Sequence, residues 1–584
     1  MTTVSLPNEP WWKSSVVYQI YPISFLDTTG DGFGDLNGIT SKLDYLKDLG
    51  VDVLWLCPIY KSPLADMGYD IADYRAIDER YGTLEDWDRL LKGVHERGMK
   101  LMMDLVANHT SDEHQWFVES RASKDSPKRD WYVWRPPRID ADGKRHPPNN
   151  WRSVFEGSAW TYDEPTGEYY LHLYLEKQPD LNWESDALRN AVWDLMRFWL
   201  DRGCDGFRMD VINLISKVEG LPNADVVEPK EEFQPAFAHY ANGPRVHEFI
   251  KDMRRLVLDH YDTITVGETP FTYNVEELAR YVLPANKELH MVFQFELMTI
   301  DQAKVPDASP LQHADWKVSE LRDWLHRWQT FKKDEGFWNA VFIENHDHPR
   351  AVSRFGNDTT TELRTVSAKL ISLFEITQKG TLYVYQGQEL GIKNFPRSWG
   401  LEEYKDCASQ NYWTRILHNR SLETGKKEED IDMEDILDNF QKKARDHSRT
   451  PMQWDSSANS GFSTGTPWMR VNDDFKTWNA ELQIKDEQSV HSFYKKALKT
   501  RKENPVLIFG EFELLLPDHP TVIAFKRIHG SQEALVLLNF RNEDASVALA
   551  DEAKRSWRLL LGNYAVEEGQ SFDLKPYEGR VYIL

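Results

Sequence analysis

Between residues 16 and 390 the chain repeats one pattern eight times, a short apolar run followed by an amphipathic helical stretch. The runs are VVYQIYPISF (from 16), VDVLWLCPIY (51–60), MKLMMDLVANH (99–109), GCDGFRMDVI (203–212), TITVGETP (263–270), MVFQFE (291–296), WNAVFIENHD (338–347) and GTLYVYQGQE (380–389). They lack the clean alternation of a half-exposed strand, and segments such as ITSKLDYLKDLG and LEDWDRLLKGVHERGMK lie between them. Strands buried on both faces and joined by helices form a parallel sheet covered on its outside. Eight units, with no glycine-rich phosphate fingerprint after the first, favour a closed (β/α)8 TIM barrel over an open doubly wound sheet.

Two interruptions break the repeat. Residues 110–175, after the third strand, are rich in Trp, Tyr, Pro and Asp and lack helical periodicity, so an inserted, irregular domain over the barrel mouth is expected. About 395–455, after the eighth strand, is charged and helical (KKEEDIDMEDILDNFQKKARDH), most simply a solvated helix face. Beyond SVHSFYKKALKTRKENP (489–505) the pattern changes to the strand-like runs GEFELLLP, TVIAFKRI, EALVLLNF and RVYIL. The expected domains are a barrel over 1–109 and 176–509, the insertion at 110–175, and a C-terminal antiparallel β-sandwich over 510–584.

Composition narrows the partners. A formal net charge of −24 argues against nucleic acid and anionic membranes, both of which need a basic face. No apolar stretch approaches the roughly 18 residues of a membrane span. The N-terminus, MTTVSLPNEPWW, lacks the basic and apolar regions of a secretory leader, so a cytoplasmic protein is expected, a monomer or weak homodimer. Cys57, Cys204 and Cys407 are too few and scattered for a disulfide framework or a zinc site.

Polar residues gather where the strands end. The third run closes on Asp104, Asn108 and His109, the fourth on Arg208 and Asp210, the fifth on Glu268, and the seventh on Asn345, His346 and Asp347. One polar residue at a strand end usually caps a helix or turns the chain. Carboxylates and imidazoles at four ends together are the pattern of a barrel active site. Arg208 and Asp210 share a strand face, so the guanidinium is expected to hold Asp210 ionised. Glu268 stands among apolar and small residues, where desolvation raises its pKa and suits it to proton donation. One ionised and one protonated carboxyl are what glycosidic cleavage needs, with retention at a separation of ~5–5.5 Å and inversion at a wider one.

The motifs DLVANHTS (104–111), GFRMDVIN (206–213), VGET (266–269) and IENHD (343–347) resemble the conserved regions of the α-amylase superfamily, glycoside hydrolase family 13. QPDLN (178–182) is similar to the signature of its oligo-1,6-glucosidase branch, which includes maltases and isomaltases. The resemblance runs from VVYQIYPISF through RTPMQWD (449–455) to ENPVLIFGEFELLLPDHP (503–520). It implies Asp210 as nucleophile, Glu268 as acid/base and Asp347 as transition-state stabiliser. It also places Asp66, Tyr69, His109, Arg208, His346 and Arg449 around the non-reducing glucose, with Arg445 ranked after Arg449. A pocket closed in that way implies exo-action on short oligosaccharides.

In this family the residue after the nucleophile is similar to a linkage switch, and Val211 there implies a leaning to α-1,6 bonds. The competing explanation is a β-branched residue chosen for strand packing. Tyr174, Glu156 and His348 depart from the family's frequent Phe, Gly and Gln. The last two are placed to alter the aglycone side, leaving maltase, sucrose-active and sugar-transferring activities as alternatives. A non-catalytic relative of the amino-acid-transporter heavy chains is the different-class alternative. It would need a membrane span and would have lost the carboxylates.

After the first strand, DTTGDGFGD (27–35) sets oxygen ligands at alternating positions with glycine at the sixth, the opening of an EF-hand-type loop. Gly38 stands where the bidentate Glu belongs, and an Asx-rich turn without metal is the competing reading. The resemblance implies a structural Ca²⁺, or Mg²⁺, on Asp27, Thr29, Asp31, the Phe33 carbonyl and Asp35, with no cofactor for the chemistry.

Overall fold

The computed structural model describes residues 9–304, 309–565 and 571–584. Each of the eight apolar runs supplies one strand: β1 (Val16–Ile20), β2 (Val53–Leu56), β3 (Lys100–Val106), β4 (Gly206–Asp210), β5 (Ile264–Glu268), β6 (Met291–Phe293), β7 (Ala340–Val341) and β8 (Thr381–Tyr385). They lie in the order β6-β5-β4-β3-β2-β1-β8-β7, every neighbour parallel. β6 and β7 close the ring by side-chain packing, with Phe293 edge-on to Phe342 at 5.0 Å. The interior is filled rather than open: Trp55, Phe293 and Tyr383 interlock with ring centroids 4.8–6.4 Å apart.

The helices form where amphipathic periodicity meets a cap. Leu84–Glu96 is started by a capping box between Thr83 and Asp86, and Trp87, Leu90, Leu91 and Val94 form its buried stripe. Gly206 opens β4 because a Cβ there would lie 1.9 Å from the Ile264 carbonyl oxygen of the neighbouring strand. Among the described residues no helix is long and apolar enough to cross a membrane.

The segment between β3 and β4 carries a small antiparallel sheet of Trp134–Arg135, Glu168–Leu171 and Trp160–Asp163. The bridge between His109 and Asp180 ties the base of this insertion to the end of β3. The C-terminal unit differs from a two-sheet sandwich. Among the described residues it is one five-stranded antiparallel sheet, backed by an irregular layer joined at the Ala545–Leu574 bridge. The reason lies in its burial. Ile523, Phe525, Val536 and Leu538 face the barrel's own core, which already supplies the second layer, while Val522, Ala524, Leu535 and Leu537 face the irregular cover.

Candidate active site

Arg208, buried on β4, is the hub of the first cluster. Its Nη1 donates to Asp104 at 2.9 Å and to Asp210 at 2.7 Å, and its Nη2 lies 2.8 Å from Glu268 Oε2. Three carboxyls from β3, β4 and β5 therefore share one guanidinium. The Asp104 carboxylate also accepts from Trp55 Nε1 and the Tyr69 hydroxyl, each at 3.2 Å. Below Glu268, Gly267 leaves room where a Cβ would lie 2.5 Å from Leu289 Cδ1.

One cation cannot offset three buried anions, and burial is the larger effect. It pushes Asp104 up to about 6, Asp210 to about 7 and Glu268 to about 8, each against the pull of Arg208. The expectation that Arg208 holds Asp210 down is thus corrected: the arginine lowers it, but desolvation wins. Asp210 and Glu268 are both raised by burial and titrate as one coupled set around Arg208.

Asp347 anchors the second cluster. Its Oδ1 accepts from Arg445 Nη1 and Arg449 Nη2, both at 2.9 Å, and its Oδ2 lies 3.1 Å from His346 Nε2. Burial works to raise this carboxyl, but His346, Arg445 and Arg449 together hold it well below the usual range. Burial keeps His346 neutral. Gln19 Nε2 donates to its Nδ1 at 2.8 Å, which leaves the Nε2 proton for Asp347.

Asp66 and Tyr69 join the two clusters. Asp66 accepts from Gln178 Nε2 at 3.0 Å and Arg445 Nη2 at 3.2 Å, while Tyr69 stacks on His346 with centroids 5.3 Å apart. His109, pushed down to about 4 by burial, lies 3.1 Å from the Tyr69 carbonyl and 5.3 Å from the Tyr174 ring. The catalytic and substrate positions expected from the sequence thus cluster, as charged and mostly buried side chains, at the strand ends, with Asp347 half-buried.

Most of the chain has recognisable relatives. A model of the α-amylase catalytic domain matches residues 19–510, and one of the maltogenic amylase C-terminal domain matches 512–581. The chain belongs to the α-amylase family of glycoside hydrolases. It is 49% identical over 565 residues to an α-glucosidase of Schizosaccharomyces pombe, covering 96% of this chain and 94% of that protein. It is 47% identical to an oligo-1,6-glucosidase of Parageobacillus thermoglucosidasius, covering 98% of each. The crystal structure of a mutant Bacillus licheniformis trehalose-6-phosphate hydrolase is similar at a TM-score of 0.89 and 42% identity, covering 98% of this chain and 100% of that one.

Three features of this α-amylase-family site were not legible in the sequence. Arg445 stands at least level with Arg449, since it alone bridges Asp66 and Asp347. Asp406 accepts from both arginines, from Arg445 Nε at 2.7 Å and Arg449 Nη1 at 2.8 Å, yet no motif marks it. Gln178 reaches Asp66 from the QPDLN segment, and only that segment's family resemblance pointed to it. Val211 is buried in a small apolar cluster with Trp151, Leu214 and Tyr240, so a packing role stands beside the linkage reading. It lies just past β4 in the left-handed region (φ 36°, ψ 41°), outside the strand itself. Its N–H donates to Glu268 Oε2 at 3.2 Å.

The 27–35 loop is held by its own hydrogen bonds. Asp27 accepts from Thr29, Gly30 and Gly32 N–H groups at 2.7–2.8 Å and from the Ser463 hydroxyl at 2.6 Å. Asp35 accepts from Thr28 and Gly38 N–H groups and caps the following helix, and Asp31 accepts from Phe33 N–H at 2.9 Å. The donor chemistry is all oxygen, as a hard cation requires. The geometry does not gather it: among the described residues no three acidic, His or Cys groups converge on a metal position.

Proposed function

We propose that this glycoside hydrolase is a retaining, exo-acting α-glucosidase that releases α-glucose from short α-glucosides and prefers α-1,6 bonds. The observation that carries the reading is Asp210 and Glu268 on one guanidinium, 2.7 and 2.8 Å from its nitrogens. Asp210 attacks the anomeric carbon while the Glu268 proton passes to the departing glycosidic oxygen. Glu268, then ionised, takes a proton from the water that releases the sugar from Asp210. Asp347, kept anionic by its two arginines, stabilises the positive charge that develops on the sugar ring. Asp66, Tyr69, His109, His346, Arg445 and Arg449 hold the terminal glucose. The kinship with α-glucosidases and oligo-1,6-glucosidases supports the substrate class.

The α-1,6 preference rests on Val211. A panel of isomaltose, maltose, sucrose and soluble starch, with the first-formed anomer read by NMR, tests the proposal. Isomaltose is expected to be turned over fastest, starch poorly, and α-glucose to appear first. Equal turnover of maltose and isomaltose would remove the linkage preference, first-formed β-glucose would remove retention, and products larger than the substrate would favour sugar transfer. A cytoplasmic, monomeric or weakly dimeric enzyme belongs to the same proposal, tested by fractionation and sedimentation.

For the 27–35 loop we propose a stabilising Ca²⁺ or Mg²⁺ outside the chemistry, supported by its alternating, oxygen-only donors. Added Ca²⁺ is expected to raise the Tm above that in EGTA with kcat unchanged. An identical Tm would leave the loop as a turn.

A further inference from the structure

Phe155 packs against the charged cluster of the site. The residue is 7% exposed, and its ring packs edge-on against Tyr174 with centroids 5.3 Å apart and lies 5.2 Å beneath the Arg445 guanidinium. The same guanidinium meets Asp66 at 3.2 Å.

The turn that carries Phe155 is not held by its own preference. Glu156 (φ 76°) and Gly157 (φ 75°) are both left-handed, a conformation that suits glycine and strains glutamate. The Glu156 carboxylate lies 2.9 Å from Arg415 Nε, in the middle of the Cys407–Thr424 helix. Arg415 also reaches Glu231 at 3.6 Å, and Glu231 accepts from Asn419 at 3.1 Å. One turn before Arg415, Asn411 donates to the Phe155 carbonyl at 2.9 Å. Arg152 grips Glu228 through two bonds of 2.6 and 2.7 Å. Three segments distant in the chain are thus tied by charge across the mouth. The Arg415 and Glu156 side chains are 25% and 20% exposed overall, but the two atoms that meet, Arg415 Nε and Glu156 Oε2, are buried.

We propose that the Glu156–Arg415 ion pair is a specificity latch that presses Phe155 towards Arg445 and so restricts the site to short substrates. Both are positioning residues that act through Phe155. With the latch shut, the sugars that follow the terminal glucose meet Phe155, and each added unit binds less well. The inference rests on the α-glucosidase reading above.

The test uses full-length Glu156→Gln, Arg415→Gln and the exchange Glu156→Arg/Arg415→Glu. Each is assayed on p-nitrophenyl α-glucoside and on a disaccharide and trisaccharide of one linkage, with the native fold checked by circular dichroism. The single variants are expected to keep the wild-type kcat on the aryl glucoside. Their trisaccharide-to-disaccharide ratio of kcat/KM should rise about fivefold, through KM, the scale of one partly exposed ion pair. The exchange returns the ratio towards wild type. An unchanged ratio in a folded single variant overturns the latch, as does an exchange that stays at the single-variant value. Should a variant not fold, Glu156→Asp decides, since it keeps the charge but shortens the reach: the ratio rises if the latch operates and stays at the wild-type value if it does not. Failure of wild type to hydrolyse the aryl glucoside would strike the α-glucosidase reading instead.

Discussion

At the scale of single residues, the chemistry depends on three buried carboxyls sharing Arg208. Replacing Asp210 by Asn or Glu268 by Gln keeps shape and hydrogen bonding but removes the charge or the proton. Each is expected to lower kcat by at least about a thousandfold while leaving the Tm near wild type, and near-normal turnover by either purified variant would remove that residue from its role. Burial raises both groups, Asp210 to about 7 and Glu268 to about 8. Activity needs the first ionised and the second protonated, so kcat/KM should be bell-shaped near neutrality. The acid limb falls as Asp210 gains a proton and the alkaline limb as Glu268 loses one, the two titrating as a coupled pair. A profile still flat at pH 9 would contradict the Glu268 assignment. These carboxyls were legible because each ends a strand inside a motif. Asp406 was not, because its importance comes only from the two arginines that fold onto it.

At the scale of elements, apolar runs betrayed all eight barrel strands, but not their lengths. The run at 338–347 yields only Ala340–Val341 as ladder, although Phe342 and Ile343 after it are still buried in the barrel core. The charged insertion was legible only in part. Residues Lys426–Asp430 are exposed as expected, whereas Lys443, Asp446 and Arg449 nearby are buried and paired. The sequence pattern could not separate these, since a charge that finds a buried partner looks like one that faces water. The helix Thr361–Ile376 hides another such group. Glu375 is buried, accepts from Gln388 at 2.6 Å and Tyr494 at 3.3 Å through one oxygen, and leaves the other unpartnered. Burial raises its pKa from 4.5 to about 8. The folded protein therefore holds a proton that the unfolded chain releases, and stability present below pH 4.5 is lost as pH rises through about 8. Glu375→Gln should raise the Tm by about 1–2 °C at pH 8.5 and flatten that alkaline decline. A Tm difference independent of pH would mean that Glu375 is not the group responsible.

At the scale of the molecule, the C-terminal sheet is part of the barrel's core rather than an appendage. Phe374 packs edge-on to Phe540 at 5.6 Å, and one cluster runs from Trp324 through Phe525 and Val536. A chain ended at residue 510 would expose that face and is expected to aggregate, while the whole chain unfolds in a single calorimetric transition. Two separated transitions would contradict the shared core. The same global folding gathers Asp210 and Glu268 on Arg208, with Asp347 beyond the end of β7, and the proposed mechanism requires all three to meet one sugar carbon. Trapping the glycosyl-enzyme with a fluorinated α-glucosyl donor, followed by peptide mass spectrometry, tests that convergence most directly. The label is expected on Asp210 alone; a label on Asp104, Glu268 or Asp347 would contradict the account.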